Sequence, residues 1–330
     1  MSNDLRDLSP TFSLEQAKEI AKVFYGLERF QRELPSERDQ NFLFGNDREK
    51  FILKISNIDE DWSIIDMQNN AMKSIGNDPR VIQSIHGKTI EIYENHFIRL
   101  ITYIEGIPLA DYPVHTNKLF FNLGRLLANI DRSLIDFQHS ASKRDLYWNM
   151  INAQKIISMY KHLILNENHL NIIENILNDW MEFVVPKFSL LRSSIIHNDA
   201  NDYNIIVQNE DQLSLIDYGD MCQTFLVCET AIACAYCMLN KDNPIEIAMH
   251  LIRGYHQTYP LENMEIQLIY YFIRIRLAMS VTISAHQKQI QPDNHYLVIS
   301  EKPAWNLLEK LHTIDTEFVQ NTFRSFLAIS

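Results

Sequence analysis

Polar residues suited to phosphate chemistry cluster in one short region of the second half of the chain. Asp199 and Asn204 lie on the loop that joins two apolar, strand-like runs, and Asp217 ends a third such run. A strand–loop–strand–turn–strand unit can bring these three side chains to one rim. Phosphoryl transfer requires a carboxylate that accepts a hydroxyl proton, and oxygen ligands that hold magnesium against the phosphates. The set therefore favours phosphoryl transfer.

Two neighbours of this set have supporting roles. His197 is expected to brace the loop through hydrogen bonds rather than to react, and Gly219 permits the backbone turn that presents Asp217. Asn and Asp are also common turn formers, so any one of these residues taken alone is better explained by a turn. The spaced set, flanked by strands of buried type, favours a functional site instead.

The elements that would position these residues differ between the two parts of the chain. In the N-terminal part, a capping-box pattern at residues 13–16 predicts a helix through Phe24, and a second helix is predicted over residues 61–75. Strand-like runs make up most of the remainder, at residues 41–44, 50–56, 81–86, 89–94 and 97–104.

From about Lys118 onward the pattern is mostly helical, with apolar stripes over residues 119–137 and 172–183. One β island interrupts it, at residues 194–196, 204–208 and 213–217. The best boundary lies at residues 106–108. The prediction is an α+β protein with a small β-rich N-lobe (residues 1–104) and a larger, mainly helical C-lobe (residues 105–330).

Composition excludes several classes of function. The net charge is −12, from 30 Lys and Arg against 42 Asp and Glu, which argues against a large nucleic-acid surface and is compatible with a cationic ligand. Only 8 glycines are present, and neither of the common glycine-rich phosphate-binding motifs occurs.

The apolar runs and the cysteines also limit the classes of protein to which the chain can belong. The apolar run at residues 226–239 is too short for a membrane span, and Arg274 and Arg276 interrupt the run at 269–283. With a polar N-terminus, the expectation is a cytoplasmic protein without membrane partners. All four cysteines fall within residues 222–237. A zinc or redox site is one interpretation, but their apolar surroundings favour a place in the core.

The pattern His197-x-Asp199-x-x-x-x-Asn204, followed by Ile216-Asp217-x-Gly219-Asp220, resembles the phosphotransferase enzyme family of aminoglycoside and choline kinases, which shares the protein-kinase fold. Residues 34–42, 51–56 and 99–106 resemble its nucleotide loop, lysine strand and hinge, and residues 254–260, 292–296 and 300–305 resemble its hydroxylysine kinase branch. The resemblance covers most of the chain. It implies a two-lobe, protein-kinase-like fold and a small-molecule kinase.

The resemblance also implies roles for individual residues. Asp199 matches the catalytic base, and Asn204 and Asp217 match the magnesium ligands. Lys54 matches the lysine that binds the nucleotide phosphates, although a lysine on an alternating strand can also simply face solvent. Further nucleotide contacts are expected from Ser36, Gln68, Thr102, Tyr103 and Ile104.

Two segments depart from the family pattern. The usual partner of the lysine is a glutamate on the following helix, whereas this chain has Gln68, with Asp66 half a turn earlier. A glutamine can orient Lys54 but cannot neutralise it. The nucleotide loop has no glycine, so Glu37 and Asp39 are expected to point away from phosphate.

Two features distinguish the chain from protein kinases. Asn198 stands in place of the arginine that couples the catalytic loop to a phosphorylated activation segment. Apolar helical sequence begins a few residues after Asp220, so no activation loop is left to hold a peptide. A small-molecule acceptor is therefore expected.

The predicted activity is transfer of the γ-phosphate of ATP or GTP, with Mg²⁺, to a hydroxyl of a small cationic amine or amino acid. The branch resemblance implies GTP and places 5-hydroxylysine first among acceptors; aminoglycosides, homoserine and ethanolamine or choline are the alternatives. A nucleotide-binding pseudokinase module is the alternative from another class, and the intact catalytic set weighs against it.

Carboxylates and an aromatic ring would suit the ammonium group of such an acceptor. The candidate contacts are Asp220, Asp293, Tyr296 and Glu301. The other interpretation is that Asp220 caps the next helix and that Asp293 and Glu301 are solvated surface acids.

Overall fold

The computed structural model describes residues 10–36, 38–77, 79–292 and 299–328. The chain divides into two compact units. The first runs to Gly106 and also takes in Phe137–Ser142, and the second comprises Ile107–Asp136 and the chain from Lys143. The predicted division into residues 1–104 and 105–330 did not anticipate that residues 137–142 belong with the first unit.

The first unit contains two capped helices. Helix α1 (Leu14–Tyr25) begins at the predicted capping box, in which Ser13 and Gln16 each accept a backbone N–H of the other. It ends at Gly26, whose φ of 66° places it in the left-handed region that glycine tolerates. Helix α2 (Trp62–Ile75) begins after Asp61, whose side chain accepts the Ser63 N–H at 2.7 Å.

An antiparallel sheet completes the first unit. Its strands are β1 (Phe30–Leu34), β2 (Gln40–Gly45), β3 (Lys50–Ile55), β4 (Val81–Ile82), β5 (Glu91–Tyr93) and β6 (His96–Thr102). The order is β1-β2-β3-β6-β4, with β5 also paired to β6. Leu53 and Ile55 on β3 join Phe42, Ile98 and α1 residues such as Ile20 in one buried apolar cluster. This packing fixes the strand that carries Lys54.

The second unit is mainly helical. Its helices are α3 (Asn117–Ser133), α4 (Ala153–Tyr160), α5 (Glu167–Asp179), α6 (Val227–Cys237), α7 (Pro244–Thr258), α8 (Asn263–Ile290), α9 (Glu301–His312) and α10 (Thr316–Ala328). Its strands are β7 (Ile107–Pro108), β8 (Ser193–Ile196), β9 (Ile205–Asn209), β10 (Gln212–Leu215) and β11 (Cys222–Phe225). The predicted α+β class, with a β-rich first part and a helical second part, is confirmed.

The β island is split between two small antiparallel sheets. Strands β9 and β10 form a hairpin, on which β7 adds a third strand, whereas β8 pairs with β11. The sequence did not predict β11, because the apolar run that begins there continues into α6. The consequence for the site is that the loop after β8 and the turn after β10 are held by different sheets.

By length and composition, helix α8 could cross a membrane, but 89% of its most apolar stretch is buried inside the protein. Such burial is typical of a core helix.

The four cysteines are buried and free, and burial raises the pKa of each thiol. These are the properties of core cysteines.

Candidate active site

The loop between β8 and β9 is braced by His197, which is fully buried. Its Nδ1 accepts the N–H of Asp199 at 3.2 Å, and its Nε2 lies 3.0 Å from the carbonyl oxygen of Ile216. These partners require a neutral ring with the proton on Nε2. Burial lowers the pKa of His197 to about 4, which keeps the ring neutral. His197 therefore ties the loop to the end of β10.

Three side chains donate to the carboxylate of Asp199. Oδ2 accepts from Asn201 Nδ2 at 3.1 Å and from Asn204 Nδ2 at 2.8 Å. Oδ1 accepts from Arg276 Nη2 at 3.2 Å. Desolvation and then the negative charge of Asp220 raise the pKa of Asp199 to about 8, against the opposing charge of Arg276. A general base works best with a pKa near the operating pH, where it is still partly ionised and binds a proton strongly enough to accept it.

The β9–β10 hairpin brings Asn204 and Asp217 to the same end of one sheet. Ile205 faces Leu215 in the register, and the carbonyl of Asn204 accepts the N–H of Ile216 at 2.9 Å. Asp217 has a φ of 61°, and its side chain accepts the Gly219 N–H at 3.3 Å. A left-handed, non-glycine residue is uncommon, and such residues concentrate at functional sites.

These two residues fit a magnesium ion. The Asn204 amide donates to the backbone oxygen of Asp199 at 2.9 Å as well as to its carboxylate, and in the described part of the chain nothing donates to Asn204 Oδ1. That oxygen and the Asp217 carboxylate are hard donors, of which magnesium usually takes one or two from protein. No group of three or more His, Cys, Asp or Glu side chains able to hold a metal occurs among the described residues.

Glu229 also braces this loop, and the motif did not identify it. It lies in the first turn of α6, is fully buried, and its Oε2 accepts the N–H of Asn198 at 3.0 Å. Asn198 has a φ of 65° immediately before Asp199. Holding a non-glycine residue in that conformation costs on the order of 1–3 kcal/mol, so neighbouring contacts must impose it. The only sequence signal was one glutamate in an otherwise apolar run.

The residues predicted to contact the acceptor lie in different parts of the second half of the chain. Asp220 is buried, and Arg144 lies beside it, with Nη2 2.5 Å from the carbonyl of Gly219 and 3.9 Å from Asp220 Oδ1. The alternative that Asp220 caps the next helix is wrong, because β11 follows it and α6 begins only at Val227. Glu301 begins α9 and pairs with Lys288 at 2.5 Å. Asp293 and Tyr296 lie outside the described residues.

In the first unit, Lys54 is nearly buried, and its Nζ lies 3.6 Å from Asp39 Oδ2. Asp39 therefore lies beside the lysine that is expected to bind phosphate, where a buried ammonium needs a nearby counter-charge. Gln68 is buried and its Oε1 accepts from Arg99 Nη2 at 2.5 Å. Arg99 faces Lys54 across β3 and β6. The glutamine thus positions the cation that neighbours Lys54.

Asp66, the other candidate partner of Lys54, lies 3.2 Å from Nε2 of His139. This contact joins residues 137–142 to α2 within the first unit. On the nucleotide loop, the hydroxyl of Ser36 accepts the N–H of Asp39 at 3.2 Å. Ser36 therefore closes a turn and is exposed.

Backbone hydrogen bonds at residues 102–104 of the hinge indicate which groups could bind a ligand. The N–H groups of Thr102 and Tyr103 donate to the carbonyls of Arg80 and Lys50, each at 2.9 Å. Ile104 is buried, and within the described ranges no backbone hydrogen bond is made by it. Buried backbone groups normally find partners. The N–H and C=O of Ile104 are thus the hinge groups suited to a ligand.

Comparison with known proteins identifies the family of the chain. The model of the Phosphotransferase enzyme family matches residues 31–262, and the chain belongs to this family. It is a small-molecule kinase by class, as the sequence predicted. Among curated proteins, it is 27% identical to a hydroxylysine kinase of Mus musculus, covering 94% of this chain and 92% of that protein.

Solved structures share the fold. An amicoumacin kinase in complex with AMP-PNP and Ca²⁺ superposes with a TM-score of 0.69 and 14% identity, over 97% of this chain and all of that one. An aminoglycoside phosphotransferase in complex with GDP and kanamycin gives 0.62 and 14%, over 92% of this chain and all of that one. The predicted kinase-like fold is confirmed.

Proposed function

We propose that the protein transfers the γ-phosphate of a nucleoside triphosphate to a hydroxyl of a small amine or amino acid, with 5-hydroxylysine as the first candidate acceptor. The observation that carries this proposal is the pairing of the Asp199 carboxylate with the Asn204 amide. In this arrangement the Asp199 carboxylate can accept a proton, and the amide oxygen of Asn204 is left to bind a metal.

In the proposed reaction the acceptor oxygen forms a bond to the γ-phosphorus while the bond to the bridging oxygen of the nucleoside diphosphate breaks. The hydroxyl proton passes to the Asp199 carboxylate, whose raised pKa suits it to this role. Mg²⁺, when bound by Asn204 and Asp217, would neutralise charge on the phosphates. His197 and Glu229 keep the loop in place without touching the reacting atoms.

The donor is proposed to bind through residues of the first unit. Lys54 would contact the phosphates, with Ser36 and neighbouring amides, and the backbone of Ile104 would read the base. The amicoumacin kinase structure holds an adenine nucleotide analogue, and the aminoglycoside phosphotransferase structure holds GDP. The fold therefore accommodates either base, and we favour GTP from the hydroxylysine kinase likeness.

An amino-acid acceptor is supported by an ion pair that includes Asp220, whose charge acts on Asp199. Arg144 and Asp220 lie 3.9 Å apart, so both signs of charge occur together at this place. A zwitterionic acceptor could be oriented by such a pair through charge-assisted hydrogen bonds. Glu301 pairs with Lys288 at 2.5 Å, a closer contact than that between Asp220 and Arg144, which makes Glu301 the weaker candidate. A cytoplasmic location without nucleic-acid or membrane partners is part of the proposal.

The test is turnover of 5-hydroxylysine, ethanolamine, homoserine and kanamycin with magnesium and either ATP or GTP, measured as nucleoside diphosphate released. We expect 5-hydroxylysine to be the best acceptor. Turnover of kanamycin alone would overturn the acceptor but not the reaction. Nucleotide-dependent thermal shifts without turnover of any acceptor would favour the binding-module alternative.

The Asp199→Ala variant tests the base directly. Loss of a general base should lower turnover on the order of 10²–10⁴-fold. The thermal shift produced by magnesium and nucleotide should persist, because Asp199 is not among the proposed metal ligands. A variant with turnover within about tenfold of wild type would remove Asp199 from the mechanism.

A further inference from the structure

Arg276 lies in the middle of α8, and none of the sequence motifs includes it. Its side chain is 2% exposed. Nη2 donates to Asp199 Oδ1 at 3.2 Å, across a sequence separation of 77 residues. A guanidinium stays charged when buried, so it must be paired. The candidate base supplies that pairing.

The guanidinium is held from three directions. Nη1 donates to the carbonyl oxygen of Trp148 at 3.1 Å, and the group lies 4.7 Å from the centroid of the Trp148 ring and 5.5 Å from that of Tyr236. Cation–π contacts of this kind orient a planar cation over the ring faces. The direction of Nη2 toward Asp199 is therefore fixed by residues outside the catalytic loop.

This arrangement is poorly explained as a stabilising ion pair. The Nε of Arg276 is buried and has no hydrogen-bond partner among the described residues. Burying a charged pair costs desolvation that its attraction often fails to offset, and apolar replacements are frequently neutral. The contact with Asp199 needs another explanation.

The hydrogen-bond acceptor sites of the Asp199 carboxylate explain the contact. Each carboxylate oxygen offers about two acceptor sites. Both sites of Oδ2 are taken by the amides of Asn201 and Asn204. Oδ1 accepts from Arg276, and in the described part of the chain from no other donor. One site on Oδ1 is left to take a proton from an acceptor hydroxyl.

We infer that Arg276 is a positioning residue, which holds Oδ1 of Asp199 so that its remaining lone pair faces the acceptor hydroxyl. The inference rests on the proposed role of Asp199 as base. The two asparagines hold only Oδ2, so without Arg276 the carboxylate can turn about that oxygen. Misplacement of a catalytic group lowers turnover and leaves substrate affinity largely unchanged.

Arg276→Gln and Arg276→Lys test the inference, and Arg274→Gln is the matched control. Arg274 lies on the same helix, is buried, donates to Asp179 at 2.7 Å and lies over Tyr270. We expect Arg276→Gln to lower kcat roughly 10- to 100-fold with both KM values within about threefold. Lysine should restore part of kcat, because its ammonium can still donate to Oδ1. Arg274→Gln should keep kcat within about twofold.

A double-mutant cycle separates action through Asp199 from independent effects. In the Asp199→Ala background, measured by single turnover, Arg276→Gln should lower the rate no further. Additive losses, or an unchanged kcat in Arg276→Gln, would overturn the inference while the base assignment stands. If Asp199→Ala alone keeps its activity, the proposed base fails and the inference fails with it. If both Arg276 variants unfold while Arg274→Gln folds, Arg276 is a structural residue and the inference is wrong.

Discussion

The amide of Asn204 and the carboxylate of Asp199 constrain each other. Because the amide nitrogen donates twice to Asp199, at 2.9 and 2.8 Å, the amide oxygen must face the other way. The hydrogen bond to the base thus determines where a metal-binding oxygen points. Asp217 is different, since it is exposed and is held by the turn that follows it.

This difference predicts separable effects on nucleotide binding. Asp217→Asn removes a charge from the proposed magnesium site and should weaken magnesium-dependent nucleotide binding by about tenfold or more. Asp199→Ala should change it by less than about threefold. Titration calorimetry measures both. Asp211→Asn, on the turn of the same hairpin, is the control and should bind as wild type. The reverse order for Asp199 and Asp217 would contradict the assigned roles.

Sequence alone identifies the residues whose roles depend on local spacing. Asp199, Asn204 and Asp217 are recognisable because strand, loop and turn place them within one short segment. Arg276 and Glu229 could not be assigned, because each looks like a charge interrupting an apolar helix. Their roles come from contacts with a loop distant in sequence.

At the scale of elements, α3 and α7 pack with their backbones in direct contact. A Cβ built on Gly254 would lie 1.9 Å from the carbonyl oxygen of Phe121, and one on Gly124 would lie 2.0 Å from that of Leu251. Both distances are far shorter than any real contact, so only glycine permits this approach. The two helices also share the hydrogen bond from Tyr255 to Asp131, at 2.5 Å.

Gly254→Ala should therefore destabilise the protein, although alanine favours helix over glycine by about 1 kcal/mol. The helices must separate, and overpacking of this kind costs about 1–3 kcal/mol. Chemical denaturation gives the free energy of unfolding. Gln257→Ala, on the exposed face of α7, is the matched control and should change stability by less than about 0.5 kcal/mol. A stabilised Gly254→Ala protein would show that the helices can move apart without cost.

Most elements were predictable where periodicity or caps are strong. The capping box at Ser13 starts α1, as the pattern indicated, and α2 covers nearly all of the predicted residues 61–75. Strand β1 was missed because its middle residues are polar and exposed at the edge of the sheet. Strand β11 was missed because pairing with β8, rather than local preference, makes it a strand.

At the scale of the molecule, the helical unit buries ionisable groups that lie on its helices. Asp131 on α3 and Glu229 on α6 are both fully buried. Burial raises the pKa of each, and the charge of Glu229 adds to the shift of Asp131. In each group one carboxylate oxygen has no hydrogen-bond partner among the described residues. Both groups therefore favour the protonated form in the folded protein.

A raised folded pKa means that the folded state keeps a proton which the unfolded chain releases, so stability falls as pH rises. For Glu229 the window runs from its ordinary pKa of 4.5 to about 7. His197 acts in the opposite sense, since its lowered pKa makes stability rise with pH between about 4 and 6.5. Comparison with a variant that keeps His197 cancels that contribution.

We therefore expect the wild-type protein to lose on the order of 3 kcal/mol of stability relative to Glu229→Gln as pH rises from 4.5 to about 7. Glutamine can still accept the Asn198 N–H but cannot ionise. The wild-type protein should likewise lose stability relative to Asp131→Asn as pH rises, since asparagine cannot ionise. Asparagine can still accept the Tyr255 hydroxyl. Urea denaturation across this pH range gives the differences, with the exposed Glu317→Gln as control. The opposite result would be a wild-type protein that gains stability relative to Glu229→Gln over this range. Glu229 would then be ionised in the folded protein, and its hydrogen-bond and charged partners, rather than its burial, would set its pKa.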